Sequence, residues 1–277
     1  MHGSSDDQQR IWLLAGTGEG PKLAKTLVEQ GWRVSVSVVT ASASHAYSGL
    51  SLEDLMVGPL AGAAGIKAVL RRHRGFDWVV DVTHPFATRI SDQLRQACAD
   101  CDQPLLRLAR PNESGQPVHV LTDLVELQRQ SLQGNRVLLA IGARHLALAA
   151  SAARAAGAEI FARVLPSSEG LRCALAVGLP TDQLAVLRPL QGDRPGHIER
   201  ALCRRWQITD VVCRQSGGVI ERLWRTIARE QGLCLWLVRR PDGPDGVETV
   251  VGVQALLQRL DHGRSPFHDF GSHVGGR

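Results

Sequence analysis

Three short segments in the first half of the chain hold residue types suited to binding a nucleotide. The first is Gly16-Thr17-Gly18-Glu19-Gly20-Pro21, directly after an apolar run over 11–15. Glycines at such a turn let a phosphate approach the backbone, and the helix that follows offers free N–H groups and a partial positive charge. The run is not G-x-G-x-x-G, because Pro21 interrupts it, and not a Walker loop, because Gly-Lys-Ser/Thr is missing. An ordinary βα turn is the alternative. The second segment ends the next apolar stretch, Ser35-Val36-Ser37-Val38-Val39-Thr40. A dinucleotide site for an unphosphorylated ribose places Asp or Glu about here to hold the 2′-hydroxyl. No acid occurs between residues 34 and 52, and the hydroxyls of Ser37 and Thr40 suit a phosphorylated ribose better. A solvent-facing strand edge would look the same. The third segment is Asp81-Val82-Thr83-His84-Pro85-Phe86-Ala87. Thr83 and His84 stand just before Pro85, which starts a helix. His84 is suited to donating to a phosphate or moving a proton, and equally to capping the turn.

The second half carries cations where strands end. Gly142-Ala143-Arg144 follows one apolar run, and Arg214-Gln215-Ser216-Gly217-Gly218 follows another and opens a helix. Consecutive glycines at a helix start make a nest of N–H groups that receives an anion. Arg144, Arg163, Arg188 and Arg214 all fall at or near expected strand ends. Guanidinium groups there are suited to gripping carboxylates or phosphates in pairs of hydrogen bonds. Taken singly, each is also readable as a solvated surface charge.

The elements that must position these residues follow from periodicity. Strands are expected over 11–15, 33–39, 76–82, 104–108, 136–141, 159–165, 185–187, 208–214 and 233–238. Helices are expected over 21–30, 63–74, 85–101, 123–130, 145–156, 171–178, 195–206, 218–231 and 253–260. The stretch 41–55 reads as a Ser- and Ala-rich loop. Repeated strand–helix–strand units call for mainly parallel sheets with helices on both faces. About ten strands exceed one comfortable open sheet, so the expected fold is α/β, two Rossmann-like lobes with an interlobe cleft. A (β/α)₈ barrel is the rival, and the polar, proline-containing stretch 110–120 argues against it by marking a crossover. The expected division is a disordered end over 1–9, a nucleotide-binding lobe over 10–112, a substrate lobe over 113–260 and a disordered tail over 261–277.

Composition bounds the partners. Hydrophobic residues make up 44% of the 277, enough for real cores. Aromatics are only 4% and the net charge only +5, which disfavours nucleic acid while suiting an anionic small molecule. No apolar run reaches membrane-spanning length, and the first residues lack the apolar centre of a signal peptide. A cytoplasmic location is expected, with the six cysteines as reduced thiols. Cys98-Ala-Asp-Cys101 has no second pair to complete a metal site, so no metal is expected.

Taken in order, these segments resemble the precorrin-6A reductases of cobalamin biosynthesis. The likeness rests on Leu14-Ala15-Gly16-Thr17-Gly18-Glu19-Gly20, Val36-Ser37-Val38-Val39-Thr40, Val80-Asp81-Val82-Thr83-His84-Pro85-Phe86-Ala87 and Leu106-Arg107-Leu108-Ala109-Arg110-Pro111. It continues through Ile141-Gly142, Arg163-Val164-Leu165-Pro166, Glu199, Ser216-Gly217-Gly218 and Arg239-Arg240-Pro241. The resemblance implies an NADPH-dependent reductase acting on an anionic tetrapyrrole, precorrin-6A or its cobalt form. It also implies that Gly16, Thr17, Gly18, Glu19, Ser37, Thr40, Thr83, His84 and Pro85 border the cofactor. Gly142, Arg144, Arg163, Arg214, Ser216, Gly217 and Gly218 would border the substrate. His84 and water are the candidate proton donors, and a monomer or weak homodimer is expected. Departures accompany the likeness: where many relatives carry Gly-Gly-Thr and a following Arg, this chain has Ala15 and Pro21. Where many carry Lys before the second-lobe Ser-Gly, it has Arg214. The Ser37-Val38-Val39-Thr40 form is closer to the cobalt-first relatives. The other function classes left open are an NADP-dependent reductase on a smaller anionic substrate and a non-catalytic dinucleotide sensor.

Overall fold

A computed structural model of the chain describes residues 8–115, 118–190 and 194–262. The first strand sets the pattern. β1 (Arg10–Ala15) alternates its side chains between two cores. Ile11 and Leu13 meet Leu23 and Leu27 on one face, while Trp12 and Leu14 meet Ile66, Leu94 and Ala97 on the other. A strand buried on both faces has no polar side, which is why 11–15 reads as an unbroken apolar run.

The chain continues through α1 (Gly20–Glu29), β2 (Arg33–Val38), the single turn α2 (Ala41–Ser44), β3 (Asp54–Val57), α3 (Gly62–Arg72), β4 (Trp78–Val82), α4 (Thr88–Asp100) and β5 (Leu105–Ala109). It then enters a second unit, which spans Pro111–Pro241. That unit comprises β6 (His119–Leu121), β7 (Arg136–Leu139), α5 (Leu146–Ala155), β8 (Glu159–Val164), α6 (Ser168–Ala176), β9 (Leu184–Val186), α7 (His197–Arg205), β10 (Asp210–Arg214), α8 (Val219–Gln231) and β11 (Cys234–Val238). From Asp242 the chain returns to the first unit with β12 (Glu248–Val251) and α9 (Val253–His262).

Each unit is built on one six-stranded sheet, and every pairing is parallel. The first has the order β12-β5-β4-β1-β2-β3 and the second β6-β11-β10-β7-β8-β9. Read from the other edge, the first is the 3-2-1-4-5-6 order of dinucleotide-binding sheets. The second repeats that order, with β6 supplying the sixth position before the other five strands are made. Two open sheets exclude the barrel alternative.

The structure corrects the expected layout in several places. The segment 242–260, assigned to the second lobe, completes the first sheet: β12 pairs with β5 in register Val250↔Leu108, and Leu256 and Leu260 of α9 lie in the β1–β2 core. β3, β6 and β12 were not expected as strands. They are three or four residues long, sit at or beside sheet edges and keep exposed positions, so each lacks the apolar run of a central strand. The stretch expected as a helix over 123–130 is a 3₁₀ segment, Val125–Arg129. Helix also replaces the disorder expected at Asp261 and His262. The rest of that tail and residues 1–7 lie outside the described residues.

Because Leu256 is fully buried against the first sheet, Leu256→Ala should lower stability by about 2–4 kcal/mol. A urea melt followed by tryptophan fluorescence, to which Trp12, Trp32 and Trp78 of the first unit contribute, tests this. A change below about 0.5 kcal/mol would mean that α9 does not pack there.

Candidate functional site

In a 3-2-1-4-5-6 sheet, ligands bind beyond the carboxyl ends of the strands, where strand order reverses. In the first unit that point lies between β1 and β4. Leu14 pairs with Ser37 on one side and with Asp81 on the other, so the three expected nucleotide segments emerge at one level of one sheet edge. The glycines of the first loop divide in role. A Cβ added at Gly16 or Gly18 would meet nothing within 4 Å. At Gly20 it would lie 2.2 Å from the Tyr47 hydroxyl and 2.9 Å from Ala15 Cβ. Gly20 therefore exists for close packing, and Gly16 and Gly18 face space that a ligand can enter. Pro21 stands in the first turn of α1, where no N–H is needed.

Thr17 and Glu19 are already engaged. The Thr17 hydroxyl donates to Glu19 Oε2 at 2.8 Å, and Arg110 grips the same oxygen through Nε at 3.0 Å and Nη2 at 2.6 Å. Glu19 thus stands in the loop as a carboxylate bound to a guanidinium, with no donor of its own to offer a phosphate. Ser37, expected to border the cofactor, is held by the core. Its buried hydroxyl accepts from Trp12 Nε1 at 2.9 Å and faces Met56, so it belongs to the core. Thr40 is exposed and caps α2 by accepting from Ala43 N, with the Ser42 hydroxyl 3.2 Å away. The hydroxyls available at the end of β2 are thus Thr40 and Ser42.

The third segment is anchored by Asp81, which is 2% exposed. Its Oδ1 accepts from Thr83 N at 2.9 Å and Thr83 Oγ1 at 2.6 Å. Its Oδ2 accepts from Ser91 Oγ at 2.6 Å and Arg107 Nη1 at 2.5 Å. Four donors make the burial of this charge tolerable. Thr83 is thereby turned back onto Asp81. His84 accepts from Phe86 N through Nδ1 at 3.2 Å, which leaves the ring proton on Nε2. Pro85 is buried, and the helix begins at Thr88 rather than at Pro85. Beside Arg107, a cavity of about 200 Å³ opens among Thr88, Ser91, Asp92 and the returning segment 242–245.

In the second unit the corresponding reversal lies between β7 and β10. Gly142 has φ +84°, and a Cβ there would stand 3.4 Å from Arg214 Nη2, so the glycine leaves room for the guanidinium. Arg144 is 80% exposed on its side chain and lies 3.4 Å from Glu169. Arg214 is half-buried, and burial first, then Arg144, lowers its pKa. The same surroundings, burial and then the charges of Arg214 and Arg144, lower that of His145. Three basic groups thus crowd one strand end, an arrangement that an anion would relieve. Arg188 is exposed two residues beyond β9 and shares in none of this.

Two second-unit expectations change. Arg163 is buried rather than displayed. Its Nε has no hydrogen-bond partner among the described residues, nor has Glu199 Oε2, and burial lowers the Arg163 pKa while Glu199 and Cys213 raise it. The glycine nest is real, since Gly217 and Gly218 have φ +63° and +81°. Its anions, however, are the protein's own: Gly217 N donates to Glu221 Oε2 and Gly218 N to Glu113 Oε1, both at 2.8 Å. Glu113 also pairs with Arg222 at 2.5 Å. Ser216 is buried beside them.

Sequence reasoning passed over Arg110, Arg107 and His145 as site residues. Arg107 and Arg110 stood in the Leu-Arg-Leu-Ala-Arg-Pro run at a strand end, and His145 followed Arg144, so a signal existed for each. Cys98 is buried with its pKa pushed up to about 12 by that burial and by Cys101, in keeping with an unreactive thiol. Among the described residues, no helix is long and apolar enough to cross a membrane.

Comparison with known proteins places these features among relatives. Residues 10–261 match the family model described as precorrin-6x reductase CbiJ/CobK. A cobalt-precorrin-6A reductase from Synechocystis sp. is 32% identical over 245 residues, covering 85% of this chain and 90% of the relative. A precorrin-6A reductase from Mycobacterium tuberculosis is 32% identical over 247 residues, covering 88% and 94%. A solved structure titled CobK precorrin-6A reductase superposes with a TM-score of 0.70 at 28% identity, covering 93% of this chain and 98% of that one.

Two outcomes follow from the geometry. Gly20→Ala should cost about 1–3 kcal/mol of stability through overpacking, whereas Gly16→Ala and Gly18→Ala should stay within about 0.5 kcal/mol. Equal losses at all three in thermal melts would remove the distinction between packed and open glycines. His145 should titrate below the ordinary 6.5. Its contribution to stability is then complete above that value and is lost as pH falls through the depressed folded-state pKa. Citrate binding at the cluster should move the midpoint upward, and an NMR titration in which citrate leaves it unmoved would mean that Arg144 and Arg214 do not receive anions.

Proposed function

This chain belongs to the precorrin-6x reductase CbiJ/CobK family, and from that premise we propose that it reduces a ring double bond of precorrin-6A, or of its cobalt form, with NADPH. Membership makes it an oxidoreductase of cobalamin biosynthesis. The carrying observation for the cofactor is the open approach to Gly16 and Gly18 at the β1–β4 reversal. It is joined by a β2 end that holds no carboxylate and presents the Thr40 and Ser42 hydroxyls. A free acid there would favour the bare ribose of NADH, and hydroxyls accommodate a 2′-phosphate.

When bound, NADPH supplies the hydride, and one proton from solvent or a side chain completes the addition of two hydrogens. The protein's part is to bind, orient and exclude water. Gly16 and Gly18 would flank the phosphates, with Thr83 and His84 beside them on the next strand end. Arg214, Arg144 and His145 would meet the acetate and propionate groups that the family's substrates carry. Arg214 is a poor proton donor even with its pKa lowered, so His84 Nε2 and water are the donors to separate.

The test is anaerobic incubation with precorrin-6A and, separately, its cobalt form, with NADPH or NADH as the only reductant. The expected product is heavier by two hydrogens, its absorbance changed, and formed with NADPH at least tenfold faster than with NADH. Equal rates would overturn the cofactor assignment. No product from either macrocycle would overturn the substrate.

A further inference from the structure

One strand holds both loops of the candidate cofactor site. Arg107 is a member of β5, paired across the ladder with Asp81, and Arg110 follows the strand's last residue, Ala109. From Arg107 the contacts run to Asp81, which is also held by Ser91, and from Asp81 to Thr83, fixing the turn after β4. From Arg110 they run to Glu19 and on to Thr17, fixing the glycine loop. The circuit closes where the Thr17 hydroxyl lies 3.4 Å from Val82 O, the residue between Asp81 and Thr83. The two halves differ in burial. Asp81 and Arg107 are 2% and 8% exposed on their side chains, and Glu19 and Arg110 are 34% and 16%. The first half is core, and the second stands at the open edge where a dinucleotide's phosphates would approach.

A carboxylate at that edge presents a difficulty. Left alone, Glu19 would repel the phosphates that Gly16 and Gly18 leave room for. We infer that Arg110 is a positioning residue of the cofactor site: it neutralises Glu19 and holds the glycine loop through it, without itself gripping the phosphates. This rests on the reading of the loop as an NADPH site. It also accounts for Glu19, which a plain phosphate loop has no use for. Glu19 is the handle by which a residue 91 positions away sets the loop's shape.

The experiment is a double-mutant cycle on the full chain, with NADPH affinity measured by fluorescence titration. Arg110→Ala should weaken NADPH binding tenfold or more, because it leaves the Glu19 charge uncompensated. Glu19→Gln alone should weaken it by less than threefold. The double variant should return to within threefold of Glu19→Gln, because the charge that needed neutralising is gone. Arg110→Lys should keep most of the wild-type affinity. In turnover, the Arg110→Ala loss should appear in KM for NADPH, with kcat and KM for the tetrapyrrole within about twofold of wild type. A double variant as weak as Arg110→Ala would mean that neutralising Glu19 is not what Arg110 contributes and would overturn the inference. So would an unchanged Arg110→Ala. Wild-type protein that binds no NADPH would overturn the underlying reading, a result visible before any variant is made. Should Arg110→Ala not fold, the inference stands on Arg110→Lys against Glu19→Gln and falls if Arg110→Lys loses tenfold.

Discussion

A carboxylate buried at the end of a central parallel strand must be met by donors on every side, and the first unit is arranged around meeting that demand for Asp81. Removing such a charge from water costs several kcal/mol unless it is paired and hydrogen-bonded. Here the donors come from three elements: the turn that follows the strand, the helix that follows the turn, and the neighbouring strand β5. Satisfying Asp81 therefore bends Thr83 back and seats α4 through Ser91. It also brings Arg107 into register, which places the end of β5, and hence Arg110, beside the glycine loop. The position of His84 is a downstream result of that one electrostatic requirement.

The same economy of charge governs the second unit with a different result. A pair of positive-φ glycines at the start of α8 builds an anion-receiving backbone, and the chain supplies its own anions in Glu113 and Glu221. Glu221 is itself buried and paired with Arg225. The backbone donors of this nest are occupied within the unit, so the cationic groups of that sheet edge are Arg144 and Arg214, with His145 beside them. Burial first, and then the neighbouring like charges, lower the basicity of both His145 and Arg214.

Topology links the two sheets through their sixth strands. The chain leaves β5 of the first sheet to make the sixth strand of the second. It later leaves β11, the fifth strand of the second, to make the sixth strand of the first. Each sheet thus depends on a segment delivered after a crossing. The edge strands involved are short because they pack on one neighbour only, and β12 keeps most of its residues exposed.

The sequence by itself determined the class of fold, the order of the central elements and the sheet edge at which the candidate site lies. Those follow from local periodicity: an apolar run such as 11–15 announces a doubly buried strand, and glycines, Thr83-His84 and arginines mark the turns after such strands. The open glycine loop and the acid-free end of β2 were legible in the same way. Only the tertiary structure decided which of those residues are available to a ligand. Ser37 is held by Trp12, Glu19 by Arg110, and Gly218 N–H by Glu113. It also decided that the returning segment from Asp242 completes the first unit. In every case the deciding partner lies 25 or more residues away in the chain. Periodicity specifies which face a residue presents, but the donor, acceptor or strand that meets it is fixed only when distant segments are packed side by side.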